Sequence, residues 1–190
     1  MGRKSTVNDA EVFAQIGRRV ASHGSINLKT VVEESGVSVG SLYHRYGSRE
    51  GLMASAWLDA VNAFQRQFVG ALTSGAADAG EQAAVVTPRF CREQEPRALI
   101  LACCRRSEFL GHGTPAELRE QIAEVNREGV AAVRAYARRT GAALEACHLG
   151  LVAFPLGAVR MYLPQRPVPE SLDAYVRAAF TATVTVSGNP

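Results

Sequence analysis

From Gly36 to Leu52 the chain reads GVSVGSLYHRYGSREGL, a run that concentrates side chains suited to gripping a polyanion while reading its surface. Ser38, Ser41 and Tyr43 carry hydroxyls, His44 an imidazole and Arg49 a guanidinium. All five can contact phosphate oxygens, and Val39 can touch a thymine methyl in the major groove. Upstream, Asn27 combines a polar side chain with a helix N-terminus that favours phosphate, and Lys29 adds a second cation. These residues do chemistry of recognition, by hydrogen bonds and charge. Nothing in the run supplies a nucleophile with a base.

Such contacts require rigid placement, and the flanking sequence provides it. Asn8 followed by Glu11 marks a helix start. Val12, Phe13, Ile16 and Val20 recur at helical spacing, and Gly24 stops the helix. Asn27 caps a second short helix with Leu28, Val31 and Val32 inward, which Ser35 to Ser38 breaks. Ser38 caps a third helix, VGSLYHRY, closed by Gly47, and Ser48 caps a long fourth one. Two short helices about a glycine turn, braced by a preceding helix, form the unit that lays a recognition helix in the DNA major groove. Val37 and Leu42 anchor that helix from behind.

At these positions the chain resembles the TetR family of bacterial regulators, in the turn Gly36-Val37-Ser38, the stretch Gly40-Ser41-Leu42-Tyr43 with Tyr46 in the aromatic place, and Ser48-Arg49-Glu50-Gly51-Leu52. The likeness covers about Val12 to Leu58, with Arg49 where lysine is usual and a short connection from Gly24 to Asn27. It implies an all-α fold: a three-helix helix-turn-helix domain over residues 1–50, then a helical domain over 51–190 that dimerises and binds a small effector. It also implies a repressor that grips a palindromic operator in double-stranded DNA as a homodimer and releases it on binding an apolar effector.

The remaining chain reads as helices. Leu52, Met53, Trp57, Val61, Phe64, Phe68 and Leu72 form one stripe on the fourth. A Gly/Ala-rich loop covers 74–80, Thr87, Pro88 and Pro96 mark breaks, and Leu99, Ile100 and Cys103 carry a helix to about Leu110. Thr114 caps the next, with Pro115 in its first turn, Glu117 closing a capping box, and Leu118, Ile122, Val125, Val130 and Val133 inward. Two further helices are expected at about 142–163, kinked by Pro155, and at about 169–186, where Leu172, Tyr175, Val176 and Phe180 pair. Large apolar and weakly polar side chains on these helices, Phe90, Cys103, Phe109, Tyr136, His148, Phe154 and Tyr162, are the candidates for an effector pocket.

Composition is compatible with this reading. The 190 residues carry 47% hydrophobic and 21% charged residues with a net charge of +3, and the first fifty hold seven Lys/Arg against five Asp/Glu. Two of the three surplus charges thus lie on the expected DNA-reading part. No apolar run suits a membrane span or a secretory leader, so a cytoplasmic protein without membrane contact is expected. Cys91, Cys103, Cys104 and Cys147 lack CxxC spacing and read as buried thiols, with no metal. No cofactor and no catalysis are expected, since phosphate-loop, zinc-protease and nucleophile-elbow motifs are all missing. The alternatives are a helical adaptor that has lost DNA binding and a redox-responsive regulator working through the cysteines.

Overall fold

The computed structural model describes residues 8–23 and 28–186, and its elements are all helical. Near the N-terminus stand α1 (Asp9–His23), α2 (Leu28–Ser35) and α3 (Val39–Tyr46), followed by the long α4 (Arg49–Thr73). Then come α5 (Ala79–Ala84), α6 (Val86–Glu93), α7 (Glu95–Cys103), α8 (Arg106–Phe109) and the second long helix, α9 (Ala116–Thr140). The chain closes with α10 (Leu144–His148), a π turn (Leu149–Ala153), α11 (Phe154–Arg160) and α12 (Leu172–Val186).

Local chemistry sets the first boundaries. Ser38 Oγ accepts the Ser41 backbone N–H at 3.1 Å, and Ser48 Oγ accepts that of Gly51 at 2.9 Å, so each serine satisfies an orphan donor of its helix. Gly47 closes α3 at φ 74°, where a Cβ would be strained, and its N–H returns to the Tyr43 carbonyl at 2.9 Å.

Two apolar clusters meet along α4. The first gathers Val12, Ile16 and Val20 of α1, Val31, Val37 and Leu42 around the turn, and Leu52, Met53, Trp57 and Val61 of α4. Ile100, Phe109 and Ile122 complete it, so the packing behind α3 continues well past residue 50 and draws on α7, α8 and α9. The second packs Phe68 and Leu72 against Phe90, Leu99, Val133, Leu151, Val159, Val176 and Phe180. Because α4 lends its first turns to one cluster and its last turns to the other, a shift along it is felt in both.

Three boundaries differ from expectation. The helix expected to reach Leu110 breaks at Cys104, which is extended (φ −101°, ψ 154°), and α8 then turns Phe109 onto Trp57. At α9 the capping box does not form. Pro115 occupies the cap position, which puts Thr114 one residue too early; Thr114 Oγ1 is buried without a partner. The helix expected at 142–163 is interrupted by the π turn, where the Phe154 N–H reaches back five residues to the Leu149 carbonyl. That widening sits immediately before Pro155, whose ring removes a ladder donor. Pro88 and Pro96 lie in the first turns of α6 and α7, where a missing N–H is harmless. Val130 and Tyr175, expected inward, are 42% and 73% exposed, because the buried stripes of α9 and α12 run through Ile122 and Val133 and through Leu172, Val176 and Phe180.

Candidate functional site

The outer face of α3 is built by exclusion. Leu42 is 3% exposed and Val37 4%, which pins the helix and its turn against α1 and α4. At helical spacing this turns Val39 (42% exposed) and Tyr43 (45%) outward, one turn apart on one face, with His44 exposed beside them. Arg49 is exposed in the first turn of α4, adjacent to the closing turn of α3. Ser38 and Ser41 hydroxyls lie 2.9 Å apart, and whichever donates, one hydroxyl hydrogen remains for an outside acceptor. Six of the expected contacts thus fall on or beside one helix face. Asn27 and the short connection lie outside the described residues, and Lys29 is placed only as a backbone position in the first turn of α2.

Two side chains in this region serve orientation. Arg45 forms an ion pair with Asp9, and the Tyr46 hydroxyl donates to the same carboxylate, tying the end of α3 to the start of α1. The Tyr46 ring stacks obliquely on Phe13 at 5.8 Å. Partial burial, reinforced by the Asp9 carboxylate, raises the Tyr46 phenol above its ordinary range and keeps it a donor. The α3–α4 corner is tight: a Cβ on Gly51 would lie 2.1 Å from the Tyr46 carbonyl oxygen.

The second site is a cavity of about 400 Å³ in the helical body. Its α4 wall is Trp57, Val61, Phe64, Gln65 and Phe68, and Thr87, Phe90 and Cys91 of α6 face them. Ala98, Leu101 and Ala102 come from α7, and Asn126, Gly129, Val130 and Val133 from α9. His148, Leu151, Val152 and Leu156, around the π turn, complete the lining. Phe64 stacks on Phe68 (5.6 Å) and meets the edge of Phe90 (5.5 Å), giving one aromatic wall. No lining side chain is Asp, Glu, Lys or Arg. Burial pushes the Cys91 thiol up to about 12, so it is a neutral part of the wall.

Of the seven residues expected around a pocket, the cavity takes two, Phe90 and His148, the latter from an exposed position at its rim. Phe109 is 1% exposed and packs on Trp57 at 5.4 Å behind the α3 cluster. Tyr136 packs on Phe180 with Arg139 over its ring, and Tyr162 lies under Arg166. Cys103 is half-buried at the end of α7, and Phe154 is 45% exposed. All five are large or soft side chains on the right helices, but each helix turns only one face to the cavity. Sequence reasoning missed Gln65, Asn126 and Thr87. For Gln65 a signal existed: it is polar yet shares a helical face with Val61 and Phe68. Among the described residues, no group of three His, Cys, Asp or Glu side chains is arranged to hold a metal ion. No helix among them is long and apolar enough to cross a membrane.

Solved structures share this architecture. The chain has the fold of TetR-family transcription regulators, a helix-turn-helix head followed by a helical body. A TetR family regulator from Marinobacter aquaeolei superposes with a TM-score of 0.68 at 16% identity, over 93% of this chain and 94% of that one. The fatty acid degradation regulator FadR from Bacillus halodurans gives 0.65 at 14% identity, over 95% and 98%. AmtR from Mycobacterium smegmatis gives 0.63 at 15% identity, over 98% and 90%. No family model and no curated protein sequence matches the chain.

Proposed function

We propose that the protein is a DNA-binding transcription regulator, a repressor that holds a palindromic operator as a homodimer and lets go when a small apolar molecule enters the body cavity. The observation that carries this reading is the face of α3. Val39, Tyr43 and His44 point outward with Arg49 alongside, while Leu42 is buried behind them. A helix held this way presents base-reading and phosphate-gripping groups together. In this reading residues 1–50 touch DNA and residues 51–190 hold the effector and the partner copy, with α4 common to both. The activity is binding, with no chemical step.

Coupling between cavity and head follows the packing. Ala98, Leu101 and Ala102 of α7 line the cavity, while a Cβ on Gly17 of α1 would lie 2.4 Å from the Pro96 carbonyl oxygen of the same helix. An effector that fits better when α7 or α4 has shifted therefore weakens DNA binding, by the difference in its affinity for the two states. For the dimer, the support is the exposed apolar surface of the C-terminal helices: Leu149, Val152, Phe154, Met161, Tyr175 and Val186 are between 38% and 80% exposed. A Cβ on Gly157 would meet open space, whereas Gly150 already abuts Phe180 of its own chain. Gly157 is thus free to admit a second helix.

The test is operator selection from a random DNA pool, followed by gel shifts across a salt series. Binding to a two-fold site with half-sites about 34–36 Å apart is expected. Tyr43→Ala should weaken it, and Arg49→Ala should reduce the salt slope by about one. Failure to select any DNA refutes the DNA reading and leaves the adaptor, whereas unchanged affinity in both folded variants refutes the assignment of the contacts to α3 and Arg49.

A further inference from the structure

We infer that the body cavity is built for a neutral, largely apolar molecule bearing one hydroxyl group, and that Gln65 is the residue that reads that hydroxyl. The inference rests on the cavity being the effector site and names what enters it.

Charge decides the first half. The walls offer no Asp, Glu, Lys or Arg, and His148 sits at the exposed rim. A carboxylate, phosphate or ammonium drawn into this space would lose its water with no fixed counter-charge, which costs far more than the apolar contacts return. At interior packing density the space takes a body of about 300 Å³, and the Trp57, Phe64 and Phe90 rings favour an apolar, ring-bearing one.

Gln65 decides the second half. Its side chain lines the cavity, and its Oε1 is buried with no hydrogen-bond partner. A buried polar atom without a partner is rare and costly, so its retention on a wall whose other polar side chains, Thr87, Asn126 and His148, carry no such atom marks a place where a partner arrives. Space for the amide is provided opposite: a Cβ at Gly129 would lie 2.5 Å from Gln65 Nε2 and 2.6 Å from Oε1. The last torsion of a glutamine is broad and nearly two-fold, so the amide can turn either its N–H or its C=O toward the cavity. A ligand hydroxyl both donates and accepts and satisfies either orientation, which a ketone or an ether cannot.

The experiment uses three matched probes on the full-length protein: 4-hexylphenol, hexylbenzene and 4-hexylbenzoate at neutral pH, by calorimetric titration and thermal shift. Wild type should bind the phenol on the order of tenfold more tightly than the hydrocarbon and the benzoate most weakly, since the hydrocarbon leaves the amide unpaired. Gln65→Met, with similar shape and no hydrogen-bonding head, should remove the preference for the phenol while hexylbenzene binds at least as well as before. Should that variant fold poorly, Gly129→Ala, which must displace the amide, should reduce the same ratio. Benzoate binding as tight as phenol, or a phenol preference unchanged in both variants, overturns the inference while the cavity still counts as a binding site. If none of the three probes binds wild type, the effector-site reading falls and this inference with it.

Discussion

Asp9 is 36 residues from Arg45 in sequence, yet it holds the end of α3, and a double-mutant cycle between Asp9 and Tyr46 measures how much that tether contributes. A hydrogen bond to a carboxylate is worth about 1.5–3 kcal/mol when withdrawn from water. Tyr46 is half-buried and the Asp9 side chain is 37% exposed, so screening and competition from water reduce the coupling to about 1 kcal/mol. Tyr46→Phe should therefore lower the melting temperature by about 2–4 °C at fixed protein concentration. It should also cost up to about fivefold in operator affinity, because α3 gains freedom to tilt. Asp9→Ala also releases Arg45, which Tyr46→Phe leaves paired, so only the former should steepen the salt dependence of DNA binding, by about one unit at most. The assay is thermal unfolding of the four proteins of the cycle together with salt-series gel shifts. A coupling below about 0.3 kcal/mol, with operator affinity unaltered in every variant, refutes the idea that this carboxylate orients α3.

Phe109→Leu should cost about 1–2 kcal/mol in stability by thinning the contact with Trp57, yet leave hexylbenzene affinity within about twofold, as calorimetry can check. Gly51→Ala should force the α3–α4 corner apart, lowering stability by about 1–2 kcal/mol despite the better helix propensity of alanine, and weaken DNA binding in gel shifts. Gly157→Trp should shift the sedimentation profile toward monomer, and an unchanged profile would point to a different dimer face. Iodoacetamide at pH 8 should label half-buried Cys103 ahead of Cys91 and Cys104, whose thiols burial pushes up to about 12. A raised thiol pKa disfavours the folded thiolate. The stability these two groups contribute is therefore full below the ordinary thiol range and is lost as pH climbs from about 9 toward 12, which urea titrations on Cys91→Ala can apportion.

Most boundaries that depend on atoms only a few residues apart were determined by the sequence itself, the start of α9, where Pro115 and not Thr114 holds the cap position, being an exception. Ser38 and Ser48 cap, Gly47 stops α3, and the α4 stripe from Leu52 to Leu72 turns inward, because caps, positive-φ glycines and helical periodicity act over one or two turns. The same locality explains why the resemblance around Gly36 to Leu52 pointed to the fold that the whole chain adopts. Where two long-range partners compete, local pattern is silent. Arg45 pairs with Asp9, 36 residues away, a contact that no spacing around Arg45 announces. Phe109, Tyr136, Phe154 and Tyr162 share with Phe90 the same apolar character and the same helical setting, so nothing in their order along the chain separates core from cavity wall. The tertiary structure makes that choice through the rotation of each helix about its axis. That rotation is set by the sum of all its contacts, and the same packing leaves Gln65 with an unpartnered oxygen beside the space cleared by Gly129.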